Sequence, residues 1–207
     1  MKIILPSVQL LDEIDAQSIL RKIERAGRIC YKSEGKMDEG TAETFVGSII
    51  RRGHESVIEH EKLSVLLICD RGVSHEIVRH RIASYSQEST RYCNYAGDKF
   101  GNELTFIKPC FWNEGETAYE LWKTAMQQCE DSYFALIESG ATPEKARSVL
   151  PNSLKTEMVV TMNMRAWRHF LKIRTDAASH PQMRELAGLI LEEFRANIPI
   201  LFDDIAQ

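Results

Sequence analysis

The chain has 207 residues, 43% hydrophobic and 27% charged, with 26 Lys and Arg against 30 Asp and Glu and a formal net charge of −4. That places it among ordinary globular proteins long enough to bury a real core, and it argues against a general nucleic-acid binder, whose surface is usually basic. The apolar run at residues 65–69 is far shorter than the roughly 18 residues a membrane helix needs, and the opening residues 1–6 are too brief for a secretion signal.

In chain order, residues 2–5 read as a short strand. From Asp15 onward, Ile19, Leu20, Ile23, Ala26 and Ile29/Cys30 recur at helical spacing. Ala42, Phe45, Val46, Ile49 and Ile50 predict a second helix behind a Thr41 cap. Residues 63–69 are aliphatic and short enough for a buried strand, and 72–81 read as a short helix. Residues 84–95 are too polar for either regular element, and 104–107 predict a strand. The longest helix is expected over 116–139, with Ala118, Leu121, Trp122, Ala125, Cys129 and Leu136 along its apolar face and Gly140 as its stop. Thr142-Pro143-Glu144 has the grammar of a helix start, running to Leu150-Pro151. Thr156, Met158, Val160 and Met162 alternate as in a strand, and helices follow at 165–174 and 181–198. The mixture predicts an α/β (mixed α+β) fold, a single domain over residues 1–207 with a central mixed sheet flanked by helices.

The cysteines, Cys30, Cys69, Cys93, Cys110 and Cys129, form no C-x-x-C pair and leave one over, so a reducing, cytoplasmic setting and five small buried hydrophobes are expected. His54, Glu55, Glu59, His60, His75 and His80 invite a metal reading, but no H-E-x-x-H occurs and no metal is expected. Neither G-x-G-x-x-G, a P-loop nor G-x-S-x-G is present, so a nucleotide would be held by side chains and helix ends.

The most unusual segment is Arg79-His80-Arg81-Ile82-Ala83-Ser84-Tyr85-Ser86-Gln87-Glu88-Ser89-Thr90-Arg91-Tyr92. The planar fork of arginine matches phosphate or carboxylate, and a long polar loop carrying three of them suits an anionic ligand better than a plain connector. If the helix before it continued through Arg81, Arg79 and Arg81 would diverge, since each residue turns about 100°, and could serve two different anions. Read blandly, the same arginines complement a helix C-terminus. A second set lies near the C-terminal end. Trp167, Phe170, Leu171 and Arg174 share one side of their helix, so Arg174 stands beside an apolar stripe and should meet an anion or a polarised carbonyl. Arg165 and His169 are i, i+4 neighbours on another face, after Asn163, and Arg147 stands one turn before Leu150-Pro151.

Arg79-His80-Arg81, seven residues and then Ser89 resembles the R-H-R-x7-S signature of the flavin-dependent thymidylate synthases. Residues 53–60, Gly-His-Glu-Ser-Val-Ile-Glu-His, are similar to that family's G-H-E-[ST]-x-x-E-H segment. Ala146-Arg147-Ser148-Val149-Leu150-Pro151 resembles its A-R-x-x-L-P block, and Asn163-Met164-Arg165 with Arg174 resembles its N-x-R and later arginine. The resemblance implies a homotetramer with active sites at subunit interfaces that makes dTMP from dUMP. It further implies 5,10-methylenetetrahydrofolate as carbon donor and FAD, reduced by NADPH, as hydride source.

By position, His54, Ser56, Glu59, Arg79, His80, Arg81, Gln87, Asn163, Met164, Arg165, His169 and His180 would contact flavin or folate. Glu76, Arg79, Gln87, Glu88, Ser89, Thr90, Arg91, Arg147 and Arg174 would surround dUMP, with Arg174 the catalytic group beside the uracil. The six arginines 79, 81, 91, 147, 165 and 174 would then gather in one pocket. Ser86-Gln87 stands where the family often has Asn-Glu, Glu76 where glutamine is common and His169 where asparagine is common. The alternatives are a metal-dependent nucleotide phosphohydrolase using the cluster from His54 to His80, and a non-catalytic nucleotide- or RNA-binding domain, which the acidic charge disfavours.

Overall fold

Alternation builds the two long strands. In β3 (Lys62–Asp70) and β6 (Lys155–Asn163), buried residues such as Leu63, Val65, Leu67 and Thr156, Met158, Val160 alternate with less buried ones, the period-2 pattern of a sheet. With β2 (Ser7–Leu10) and β4 (Ser84–Gln87) they form a four-stranded sheet in the order β2-β3-β6-β4. A separate pair is formed by β1 (Lys2–Ile4) and β5 (Thr105–Ile107), parallel, with Ile3 opposite Phe106. The computed structural model describes residues 1–97 and 101–206. These form a mixed α/β fold that divides into two compact units.

The first unit comprises Met1–Ser7, Leu67–Arg79 and Ser86–Met158. Its core is aromatic, with Phe106, Tyr119, Trp122, Met126 and Tyr133 packed around Leu104 and Leu154. Helix α4 (Thr117–Glu138) supplies Tyr119, Trp122, Met126 and Tyr133 to that core and stops at Gly140, whose φ of +92° suits a residue without a Cβ. The Ala141 N–H returns to the Leu136 carbonyl at 3.0 Å, closing the helix end. The buried face is Tyr119, Trp122, Met126, Glu130 and Tyr133, not the one expected: Leu121 is 67% exposed and Ala125 is also exposed. The stripe is rotated because Glu130 is needed inside, where it accepts from Leu104 N at 2.6 Å and pairs with the Met1 ammonium at 2.9 Å. Helix α5 (Pro143–Ala146) and a 3-10 turn (Arg147–Val149) lead on to β6.

The second unit comprises Val8–Leu66, His80–Tyr85 and Val159–Gln207. Asp15 caps α1 (Ala16–Cys30) by accepting from Ser18 N at 3.0 Å. Helix α2 (Thr41–Arg51) packs on α1 closely enough that a Cβ at Gly27 would stand 2.6 Å from the Phe45 ring. Thr41 is the first residue of α2 rather than its cap, which is Gly40 at φ +85°. Trp167 anchors the core on α6 (Met164–Arg174). Its ring meets Phe170 and Phe194 edge-on at 5.6 and 5.2 Å, and its Nε1–H donates to the Leu63 carbonyl at 3.0 Å. Helices α7 (Pro181–Asn197) and α8 (Pro199–Phe202) close this core with Leu186, Ile190, Leu201 and Phe202.

Three further expectations are corrected. The short helix α3 (Arg71–Ile77) ends before Arg79, so Arg79 and Arg81 share no helix. Residues 84–87 form strand β4, whose polar side chains find hydrogen-bond partners instead of an apolar face. Cys30 and Cys110 are exposed, whereas Cys69 is buried and its thiol is pushed up to about 12, chiefly by burial.

Candidate active site

In the first unit, the end of β4 is wired into the fold. Asp70 caps α3 by accepting from Val73 N at 2.7 Å, which fixes Ser74 on the helix's buried side. The Gln87 amide donates to Ser74 Oγ at 2.9 Å and to Thr156 Oγ1 at 3.1 Å. Both amide protons are thus engaged within the chain, and what Gln87 presents outward is its carbonyl oxygen, an acceptor.

Glu88 is held harder. Its N–H donates to the Glu157 carbonyl at 2.8 Å, and its carboxylate accepts from Tyr95 Oη at 2.8 Å and Lys155 Nζ at 3.1 Å. Burial and then the Glu88 carboxylate push the Tyr95 hydroxyl pKa up, keeping it a donor. Burial opposes the charge on Lys155, but its hydrogen bonds to Glu157 and Glu88 outweigh that, and its pKa is raised.

The loop beyond continues the pattern more loosely. Ser89 begins a turn, its carbonyl accepting from Cys93 N at 3.0 Å and its Oγ from Arg91 N at 3.3 Å. Thr90 is buried, with Arg147 reaching its hydroxyl at 3.4 Å. Arg91 lies 5.3 Å over the Tyr92 ring and 3.7 Å from Glu144, with its head group in solvent. Glu76 is half-buried, and Arg79 is exposed just past the helix end. Arg91 and Arg147 are therefore exposed cations on and beside this turn.

In the second unit many of the expected residues stand in the open. Glu55–His60 is a 3-10 turn that presents His54, Ser56 and Glu59 to solvent. Arg165 pairs with Glu59 at 2.6 Å, both exposed, and Arg81 and His169 are exposed as well. Asn163 caps α6, its Oδ1 accepting from Ala166 N at 2.8 Å, and Met164 is fully buried in the core. His180 caps α7 through Nδ1, which accepts from Gln182 N at 3.4 Å. An open cleft of about 760 Å³ lies between α1 and α2, lined by Arg28, Lys36, Arg52, Tyr31 and Phe45 and reaching His54.

Arg174 is half-buried on α6, and one of its partners is a ring nitrogen: its Nε donates to His80 Nε2 at 3.0 Å. The His80 ring packs edge-on against Phe170 at 4.8 Å, with His169 at 6.0 Å. Burial, then the nearby Arg174 and His169 charges, lower the His80 pKa to about 4, so the imidazole is neutral at neutral pH.

Of the six arginines, 79, 91 and 147 belong to the first unit and 81, 165 and 174 to the second. Sequence reasoning missed Ser74, Tyr95, Lys155 and Thr156, which immobilise Gln87 and Glu88. It also missed Arg168, only 1% exposed and held by both Asp204 oxygens at 2.6 and 2.7 Å and by Glu55 at 3.1 Å. A charged residue inside an apolar helix face was the available signal for Arg168. Among the described residues, no group of three or more His, Cys, Asp or Glu side chains is placed to hold a metal ion, and no helix is long and apolar enough to cross a membrane.

A family model described as thymidylate synthase complementing protein matches residues 9–200. A flavin-dependent thymidylate synthase of Geobacter sulfurreducens is 37% identical over 186 residues, covering 86% of this chain and 78% of its own. The chain belongs to the flavin-dependent thymidylate synthase family. A second flavin-dependent thymidylate synthase, from Mycolicibacterium gilvum, is 35% identical over 211 residues, covering 96% of this chain and 84% of its own. Among solved structures, a UMP/dUMP methylase, PolB from Streptomyces cacaoi, bound with 5-Br dUMP, superposes with a TM-score of 0.79 at 25% identity, covering 98% of this chain and 96% of that one. Nothing in these likenesses supports the phosphohydrolase reading.

Proposed function

We propose that this protein converts dUMP to dTMP by reductive methylation. The methylene carbon comes from 5,10-methylenetetrahydrofolate, and NADPH supplies the electrons through a bound flavin. The observation that carries this reading is the family match across residues 9–200, which spans every residue of the two clusters above. The balance is dUMP, methylenetetrahydrofolate, NADPH and a proton giving dTMP, tetrahydrofolate and NADP⁺.

The donor set in the second unit fits a flavin dinucleotide. Exposed Arg81 and Arg165 suit a pyrophosphate, and His54, Ser56 and His169 offer polar contacts for a ring. Glu59 sits on Arg165 and would be displaced or shared when an anion binds. When bound, reduced FAD supplies the hydride equivalent that completes the methyl group.

The protein's own residues bind and orient. Arg91 and Arg147, with the Ser89 hydroxyl, take the dUMP phosphate, because exposed guanidinium forks beside a hydrogen-bonded turn match its oxygens. Gln87 and Glu88, immobilised from behind, present fixed polar atoms to the nucleoside. Arg174 faces the uracil and stabilises the negative charge that develops on N3 and O2 as C5 becomes nucleophilic. No cysteine nucleophile is invoked, and Cys69 is buried with its thiol protonated. A chain of 207 residues serving three large ligands is best served by shared sites in a homotetramer, working in the cytoplasm.

The test is direct. The purified protein, loaded with FAD, should show visible flavin absorbance that bleaches with NADPH, and should form dTMP only when dUMP and methylenetetrahydrofolate are both present. Failure to take up FAD, or bleaching with no dTMP under any of these conditions, would contradict the proposal.

A further inference from the structure

We infer that His80 is a positioning residue for Arg174, its unprotonated Nε2 accepting the Arg174 Nε–H and setting the plane in which the guanidinium meets the substrate. The inference rests on the proposed function for the substrate's identity, but the pairing itself stands on the chain's own geometry.

The Nε-to-Nε2 distance of 3.0 Å is that of a real hydrogen bond. Arginine only donates, so Nε2 must carry the lone pair and Nδ1 the proton of a neutral ring. The ring cannot swing away freely, because it lies edge-on against fully buried Phe170 at 4.8 Å and 64°. Its backbone is tied as well, since the Tyr85 hydroxyl donates to the His80 carbonyl. Among the described residues, the titratable and charged groups facing the ring are Arg174 and His169 on α6 and Tyr85 on β4. None of these is an acid that would favour a protonated imidazole.

A histidine suits this role where a carboxylate would not. Asp or Glu in its place would orient Arg174 but also cancel its charge. A neutral imidazole fixes the guanidinium without itself cancelling the charge that acts on the developing anion. Protonation of His80 removes the acceptor and sets two cations face to face, so the pair separates on acidification. The depressed basicity of the ring keeps the pair intact at neutral pH. His80 thereby gains a role in supporting Arg174 besides the flavin contact that the family resemblance implies.

Two variants and one spectroscopic measurement test this on the FAD-loaded protein. His80→Phe keeps a ring against Phe170 but offers no acceptor, and should lower kcat about tenfold or more with flavin uptake within about twofold, the scale expected for losing a hydrogen bond to a charged group. His80→Gln supplies an amide oxygen in place of Nε2 and should recover most of that loss. It should also abolish the acid limb expected of wild-type kcat around pH 4. Nitrogen-15 NMR of the histidine rings should show His80 as the Nδ1–H tautomer at neutral pH, with an Nε2 signal that moves in Arg174→Ala. Parallel loss of flavin uptake and activity in His80→Phe would overturn the inference, as would a protonated Nε2 or an Nε2 signal indifferent to Arg174→Ala. The NMR result needs no turnover, so a protein that forms no dTMP would defeat the functional reading and leave the pairing to be decided by the ring nitrogens alone.

Discussion

The two clusters differ in how much of their polar chemistry is already satisfied. In the first unit, Gln87 and Glu88 are held by Ser74, Tyr95, Lys155 and Thr156, drawn from a helix, a loop and a strand, and most of these groups are at least half-buried. In the second, Arg165 and Glu59 lean on each other in solvent, and His54, Arg81 and His169 stand exposed. A small substrate that must be oriented to within a fraction of an ångström calls for atoms fixed beforehand. A large polyanionic cofactor can order exposed arginines as it binds, and exposed charges cost little to hold in readiness. Arg174 is the exception in the second unit: half-buried, oriented by His80, and built like the members of the first cluster.

The sharpest way to break that contrast is Arg174→Ala. It should lower dTMP formation by about 100- to 1000-fold, the usual cost of removing one group that stabilises transition-state charge. Flavin should stay bound, and steady-state kinetics beside the flavin spectrum would read both. Unchanged turnover would put Arg174 with the dispensable surface charges.

Lys155→Met comes next. Glu88 would keep the Tyr95 hydroxyl but lose its cation, so stability should fall by about 1–3 kcal/mol in urea unfolding and dUMP should bind more weakly. A variant with normal stability and normal dUMP affinity would show that the wiring behind Glu88 is incidental.

A smaller effect lies in the pH dependence of stability. The His80 pKa falls from an ordinary 6.5 to about 4 on folding, so between those values the unfolded chain binds the proton and the folded chain does not. Stability therefore declines as pH drops from 6.5 towards 4, and this contribution levels off below. His80→Gln should flatten that part of the curve in pH-dependent denaturation. Arg168 holds the Asp204 carboxyl below its ordinary value of 3.8, so the stability Asp204 contributes is lost only as pH falls further.

The smallest effect is expected for Arg165→Ala. Its pair with Glu59 is exposed on both sides and should contribute less than about 1 kcal/mol to folding. The same substitution should weaken FAD binding about tenfold, measured by fluorescence titration, which separates a binding charge from a structural one.

Much of the fold was legible because its elements are long and periodic. The apolar spacing of Leu20 and Ile23 marks α1, the alternation at Met158, Val160 and Met162 marks β6, and the shared side of Trp167, Phe170 and Leu171 marks α6. Strand β4 was not legible: Ser84, Tyr85, Ser86 and Gln87 carry no apolar period, and their place in the sheet depends on partners elsewhere in the chain. The end of α3 at Ile77 was missed for a related reason, since nothing in Val78-Arg79-His80-Arg81 punctuates a helix.

For the site, the motifs located which segments matter but not how their side chains are engaged. Lys155 reaches Glu88 across 67 residues, Thr156 reaches Gln87 across 69, and Arg174 reaches His80 across 94. Local spacing carries no trace of such contacts. It did place Arg174 beside an apolar stripe, and the physical argument that it needed a partner there was right in kind, one partner being the His80 imidazole.

The most direct measurement is an anaerobic single turnover. The protein, loaded with FAD and reduced beforehand, is mixed with dUMP and methylenetetrahydrofolate with no NADPH present, and flavin oxidation and dTMP are followed together. One dTMP formed for each flavin oxidised is the result expected. Flavin oxidised without dTMP, or dTMP formed while the flavin stays reduced, would contradict the account.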